Sequence, residues 1–131
     1  MISLEQAFAE IVLLHEQIEA WFRGDAPPHA LNALVACFAD EFQMVTIRGD
    51  QLDRDGVRNL FLRLHGTRPG MTIVIERVTV MVDGSDGCLV TYRETQTSID
   101  GSSNQRHSVV WLRPTSNQRP SWLYLQETAL S

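Results

Sequence analysis

Residues 72–97 read TIVIERVTVMVDGSDGCLVTYRETQT, and this stretch decides the fold. Upstream of it the apolar residues recur at helical spacing. From Thr72 onward β-branched residues dominate and the period falls toward two. Thr72 to Val82 is one strand, Asp83-Gly84-Ser85-Asp86-Gly87 is a turn, and Cys88 to Thr97 is the next strand. Asp100-Gly101 marks another turn, and Gln105 to Arg113 and Ser121 to Thr128 complete a run of successive strands. Short connections between consecutive strands make an antiparallel meander.

Working outward toward the N-terminus, Ser3 can cap a first helix, with Gln6 at the capping-box spacing. Leu4, Phe8, Ile11, Ile18 and Phe22 form its apolar stripe, widened by Ala7, Leu14 and Trp21. Glu5, Glu10, Glu16, Glu19 and Arg23 form the polar face. Gly24 ends the helix, and Pro27 and Pro28 prevent its renewal. A second helix runs from His29 to Phe38 and buries Leu31, Leu34 and Val35. Phe42 to Ile47 reads as a strand closed by Arg48-Gly49-Asp50. Asp53 or Asp55 caps a third helix that turns Val57, Leu60, Phe61 and Leu64 inward, until Gly66 and Pro69 stop it. Helices followed by a meander give an α+β fold, with three helices from the N-terminal half packed on one face of the sheet.

Strict alternation along Thr72–Val82 puts Ile73 and Ile75 on one face and Val74, Val78, Val80 and Val82 on the other. A sheet with one wet face alternates cleanly between apolar and polar residues. The helices cover one face, so the other is expected to meet a second copy, giving a homodimer through the outer sheet face.

The chain has 131 residues, which corresponds to a single domain over 1–131, and 44% hydrophobic content supplies a core. A net charge of -5 argues against nucleic acid as a partner, since phosphates need a basic surface. All 11 basic residues are arginine, which excludes lysine Schiff-base chemistry. Cys37 and Cys88 read as buried small hydrophobes rather than a disulfide. There is no basic stretch followed by an apolar leader and no apolar run of membrane-spanning length, so the expected location is the cytoplasm, with no membrane partner. Phosphate-binding loops, dinucleotide fingerprints and serine elbows do not occur, and no cofactor is expected.

Several segments carry a family resemblance. They are Gln17-Ile18-Glu19-Ala20 with Gly24-Asp25, Asp83-Gly84-Ser85-Asp86-Gly87-Cys88, Tyr92-Arg93-Glu94-Thr95-Gln96 with Ile99-Asp100-Gly101, and the late-strand aromatics Val110-Trp111 and Trp122. In order and content they resemble the nuclear transport factor 2-like superfamily, including its SnoaL-like members. The closest likeness is to the association domain of calcium/calmodulin-dependent protein kinase II. The resemblance implies a cone of helices on a curved antiparallel sheet, a pocket at the open end and assembly through the sheet. It also implies that Arg93 points into the pocket toward small carboxylates. Val109 stands where that family has a second arginine, and Arg58 where its third helix carries a histidine.

Arg93 is therefore the first candidate ligand contact. It shares a strand face with Leu89, Thr91, Thr95 and Thr97, and its structural alternative is an ion pair with Glu127. His107, on the face of Val109 and Trp111, and Glu127 are the candidate acids or bases. His15 interrupts the apolar stripe of the first helix, so it needs a polar partner or lines the pocket. His15 and Glu19 stand one turn apart, but without a third ligand they make no metal site. Every aspartate falls in a turn, a loop or at a helix end, so the pocket aspartate of ketosteroid isomerase-like members has no counterpart. Three functions remain open. The first is a non-catalytic, dimeric pocket protein for a small anionic or polar-aromatic ligand held by Arg93, His107, Trp111, His15, Arg58 and Glu127. The second is a SnoaL-like isomerase, dehydratase or cyclase with His107 or Glu127 as base. The third is an oligomerisation module with an incidental pocket.

Overall fold

A computed structural model describes residues 1–117 and 119–131. Helix α1, Leu4–Arg23, opens on a complete capping box: Ser3 Oγ accepts from the Gln6 amide at 3.0 Å, and Gln6 Oε1 accepts from the Ser3 amide at 2.8 Å. It closes at Gly24, whose φ of 85° costs a glycine nothing. A 3-10 turn, Pro28–Ala30, leads into the short α2, Leu31–Val35. The second helix thus stops before the expected Phe38, because Phe38 is already paired with Trp122 in strand β1, Phe38–Val45. A hairpin over Arg48-Gly49-Asp50 returns through β2, Gln51–Asp53, a strand the sequence pattern did not announce. Asp53 caps α3, Arg54–Leu64, by accepting from the Gly56 amide at 2.8 Å.

The meander follows as β3, Thr72–Gly84; β4, Gly87–Thr97; β5, Ser103–Arg113; and β6, Ser121–Leu130. The sheet order is β2-β1-β6-β5-β4-β3. All neighbours are antiparallel except β1 and β6, which run parallel because the chain reaches β6 from β1 only after α3 and three intervening meander strands. Among the described residues no helix is long and apolar enough to cross a membrane.

Bulges correct the expected faces of β3. Its pairing with β4 slips between Glu76 and Thr79 and again between Val80 and Val82, and Arg77 takes a φ of 57°. The inserted residue reverses the alternation. Ile73, Ile75, Val78 and Val80 therefore all pack against the core, while Val74 and Val82 are 49% and 53% exposed. The valines assigned to the outer face are divided between the two faces.

Helix α1 lies on the inner face with Ala7, Ile11, Leu14, Trp21 and Phe22 buried. Leu4 and Phe8, expected in this stripe, are exposed on its flank. Glu10, expected on the polar face, is 2% exposed. Its Oε1 accepts from Arg119 Nε at 2.6 Å, and its Oε2 accepts from Arg119 Nη2 at 3.2 Å and from Trp122 Nε1 at 2.8 Å. Charge-assisted bonds of this kind allow a carboxylate to be buried. They tie α1 to the start of β6 across the core. Glu10→Ala leaves the guanidinium and the indole N–H without their acceptor, and should cost about 3 kcal/mol in denaturant unfolding. Leu4→Ala and Phe8→Ala should each stay within about 0.5 kcal/mol. A Glu10→Ala variant as stable as these two would mean that the clamp contributes nothing.

Candidate functional site

Strand register divides the inner face of the sheet into apolar and polar rows. Cys88–Leu112–Trp122 and Val90–Val110–Leu125 form apolar rows under α1. Toward the other end the rows become Tyr92–Ser108–Glu127, then Glu94–Arg106–Ala129, then Gln96–Asn104. Above the polar rows lies a cavity of about 570 Å³. Apolar side chains of α1, α3 and β1, including Leu14, Phe22, Phe38, Met44 and Phe61, form its walls. His15, Arg68, Glu94, Gln96, Arg106 and Glu127 supply its polar groups. Arg48, Asp50 and Arg63 stand among the lining residues on β2's hairpin and on α3.

His15 meets its sequence-level requirement for a partner. Its Nδ1 is 2.7 Å from the Ile11 carbonyl, which can only accept, so Nδ1 carries a hydrogen. Its Nε2 is 3.1 Å from Glu94 Oε1. The ring stands edge-on to Tyr92 and Trp122, at centroid distances of 5.4 and 6.0 Å. The other oxygen of Glu94 accepts from Gln96 Nε2 at 2.7 Å. Gln96 Oε1 in turn accepts from Arg68 Nη1 at 2.5 Å, and Arg68 Nη2 donates to Ser98 Oγ at 3.1 Å. A continuous polar chain therefore runs from the buried face of α1 to Arg68. The Arg68 amide is held by the Phe22 carbonyl at 2.9 Å, which fixes the loop after α3 to the end of α1.

Burial alone would lower the His15 pKa, but the hydrogen bond and charge of Glu94 outweigh it and the net shift is upward. Burial likewise opposes ionisation of Glu94, but the bond to His15 and its charge bring that pKa below the ordinary value. Both shifts describe an imidazolium–carboxylate pair. Glu127 behaves differently: burial, followed by the charge of Glu94, raises its pKa. It has one weak tie, 3.4 Å from Oε1 to Arg106 Nη1. Arg106 also donates from Nη2 to Asn104 Oδ1 at 2.8 Å, and its buried Nε has no partner among the described residues. Tyr92 Oη and Ser108 Oγ, in the same row as Glu127, are also buried without partners among the described residues. Burial pushes the Tyr92 phenol well above its ordinary pKa.

Of the residues singled out from sequence, His15 and Glu127 reach the cavity. Arg93, His107 and Trp111 do not. The inner face of β4 carries Cys88, Val90, Tyr92, Glu94 and Gln96, so Arg93 projects outward with Leu89 and Thr91. Arg93 pairs in register with Glu76 on one side and His107 on the other, and Trp111 pairs with Leu89 and Tyr124. The expected Arg93–Glu127 ion pair is replaced by Arg106–Glu127, because Arg106 shares Glu127's face. Arg58 lies on α3 and donates from Nη2 to Asn32 Oδ1 at 3.0 Å, away from the cavity. Glu19 accepts from the Ile73 amide at 2.8 Å and does not join His15. Glu94, Gln96, Arg106 and Arg68 were not selected from sequence. Cys88-Val90-Tyr92 is the more apolar alternation of β4, and extending it reaches Glu94 and Gln96.

Comparison with known structures follows this architecture closely. An NTF2-like protein of unknown function from Pseudomonas aeruginosa is 38% identical, with a TM-score of 0.92, over 96% of this chain and 99% of that one. The chain belongs to the NTF2-like family. A second NTF2-like protein, of unknown function in nutrient uptake, from Rhodospirillum rubrum is 16% identical, with a TM-score of 0.67, over 92% of this chain and 98% of that one. A protein assigned as a calcium/calmodulin-dependent kinase II association domain from Exiguobacterium sibiricum is 15% identical, with a TM-score of 0.64, over 98% and 95%. The last two share the fold. No family model and no curated protein matches the chain.

The raised pKa of His15 makes stability fall as pH rises. The contribution is complete below the ordinary value of 6.5 and is lost as pH passes through the higher folded-state value. Glu94 acts in the opposite sense, its contribution being lost as acid protonates it. His15→Leu leaves Glu94 buried without its charge partner, and should cost about 3–5 kcal/mol near neutral pH. Joined with Glu94→Gln on the Glu127→Gln background, it should remove much of the alkaline loss seen in denaturant midpoints. An undiminished loss in that triple variant would place the titrating group elsewhere.

Proposed function

We propose that the chain binds a small anion with an apolar or aromatic body in the cavity between α1, α3 and the inner sheet face, and that it does so without catalysis, as a homodimer. One observation carries the ligand reading. In a chain of net charge -5, the cavity gathers the guanidiniums of Arg68 and Arg106 and the imidazolium of His15 against the carboxylates of Glu94 and Glu127. Apolar walls with a few converging polar groups are what an apolar body with one polar head requires. The Arg106 Nε that lacks a partner, and the weakly held Arg106–Glu127 contact, are where the anionic head has most to gain.

A SnoaL-like isomerase, dehydratase or cyclase is the second reading. Glu127, a half-partnered carboxyl facing the cavity, favours it. The pairing of His107 with Arg93 does not, since both lie on the outer face. An incidental pocket would be filled by the protein's own side chains, and an open volume of about 570 Å³ argues against that.

The dimer reading rests on the outer face of the sheet. Val82, Leu89, Trp111 and Tyr124 form one row across β3–β6, and the row Thr79–Thr91–Val109–Gln126 separates it from the charged row Glu76–Arg93–His107. Arg93 Nε is buried and has no partner among the described residues. A two-fold axis set over this charged row, where Glu76 and Arg93 are register neighbours, would bring each Glu76 to the other copy's Arg93, the self-complementary arrangement an isologous interface needs.

In a thermal-shift assay, 3-phenylpropionate at about 100 times its dissociation constant should stabilise the protein by roughly 2.7 kcal/mol. That corresponds to a rise of roughly 10 °C for a chain of this size. Arg106→Gln and Arg68→Gln should weaken binding more than Arg93→Ala, since Arg93 lies outside the cavity and reaches the ligand only through assembly. Equal binding of the neutral alcohol 3-phenylpropanol would remove the anionic reading. In sedimentation experiments Arg93→Glu should shift the protein to monomer, and the double exchange Glu76→Arg with Arg93→Glu should restore the dimer. A wild-type monomer at micromolar concentration would remove the dimer reading.

A further inference from the structure

We propose that anion binding in this cavity takes up one proton at Glu127, which releases the Arg106 guanidinium to pair with the ligand. The inference rests on the pocket reading above and names how the same site is regulated.

The argument starts from which groups are already committed. Glu94 is fully engaged, one oxygen by His15 at 3.1 Å and the other by Gln96 at 2.7 Å. Glu127 is not: Oε1 has the single 3.4 Å contact with Arg106, and Oε2 has no hydrogen bond among the described residues. Both side chains of this pair are largely buried, at 12% and 11% exposure. An anion entering the cavity therefore finds the charge of Arg106 already shared with a carboxylate. Glu94 on β4 is a second negative charge beside it.

Three anionic groups around Arg106 and His15, out of bulk water, would repel one another strongly. The arrangement relieves this if one of them becomes neutral. Glu94 is held ionised by His15, and a carboxylate ligand in contact with a guanidinium stays ionised for the same reason. Glu127 is left to accept the proton from solvent. Once neutral it needs no counter-ion, and its O–H can donate to the bound anion. Arg106 keeps its bond to Asn104 at 2.8 Å and turns its charge to the ligand.

Among the described residues, Glu94 and the phenol of Tyr92 face Glu127 from β4, Arg106 from β5 and His15 from α1. Arg48 and Asp50 of the β1–β2 hairpin, Arg63 of α3 and Arg68 after it share the cavity lining with Glu127. Glu94 favours protonation of Glu127, while Arg106 and His15 oppose it. Burial also favours the neutral acid and is the largest influence, so the free protein is already biased toward the state that the ligand selects. Affinity should accordingly be highest at low pH. It should fall about tenfold per pH unit above the Glu127 pKa of the free protein, until the pKa of the complex is reached.

The test is titration calorimetry of 3-phenylpropionate into the intact protein, from about pH 5 to about pH 8. Each pH is run in two buffers of different ionisation enthalpy, which counts protons directly. The expected result is an uptake that approaches one proton for wild type within this range. In Glu127→Gln, which keeps the shape and neutrality of the protonated acid, uptake should be near zero and affinity should be retained at the upper end. Binding without proton uptake in wild type overturns the proposal while leaving the pocket reading intact. Equal uptake in both proteins also overturns it, and places the proton on another group. Absence of binding by wild type at every pH removes the pocket reading, and this proposal with it.

Discussion

The buried pair of His15 and Glu94 is the constraint on which the rest of the site depends. Glu94 sits in the middle of β4 at 3% exposure, where an unpaired carboxylate would not stay ionised. One turn of α1 answers it with an imidazole that is itself anchored to the Ile11 carbonyl at 2.7 Å. The helix must then lie at one height and one rotation over the sheet, because an imidazole reaches its partner from a single position. Gln96 and Arg68 extend the chain to the loop after α3. That loop is fastened to the end of α1 through Phe22, and through the Gly66 amide donating to the Trp21 carbonyl at 3.1 Å. The polar chain thus begins and ends on the same helix.

This network also accounts for the cavity. The apolar rows of the inner face close against α1 by ordinary packing, with Val90, Val110, Leu112 and Trp122 at 0% exposure. The polar rows cannot close in that way. Charged groups lose solvation when they collapse onto aliphatic side chains, and they keep it when a polar space is left beside them. The sheet is therefore filled at one end and open at the other: Trp122, Leu125 and Glu127 of β6 line the cavity, while Tyr92 and Ser108 stay fully buried outside it. The hydroxyls of Tyr92 and Ser108 find no partner among the described residues.

Much of the architecture was legible because it depends on local chemistry. The Ser3–Gln6 box, the Gly24 stop, the Asp53 cap and the turns of the meander each follow from one or two residues. The requirement that His15 find a partner was legible too, since a polar residue in an apolar stripe must be satisfied. What could not be read depends on position in space. Arg77 at φ 57° gives no sign in sequence, yet it decides which face Val78 and Val80 occupy. Period two separates the faces of β4, and only the more apolar set, Cys88-Val90-Tyr92, hints at the inward one; Arg93 was placed in the pocket by family likeness instead, and Glu94 was passed over. Glu10 looked like a surface glutamate because Arg119, its partner, is 109 residues away in a polar loop.

The same alternation that misplaced Arg93 lets three strands serve two purposes. Along β4, β5 and β6 alternate positions separate a cavity from the outer surface of the sheet. Glu94, Arg106 and Glu127 project one way, and Arg93, His107 and Trp111 the other. In β4 and β5 an inward charged side chain is therefore one residue from an outward polar one: Arg93 precedes Glu94, and Arg106 precedes His107. A second copy on the outer face would order the backbone of these positions from behind, and with it the geometry of Arg106 and Glu127. Ligand affinity and assembly would then be coupled through the strands themselves, without any residue shared between the two faces.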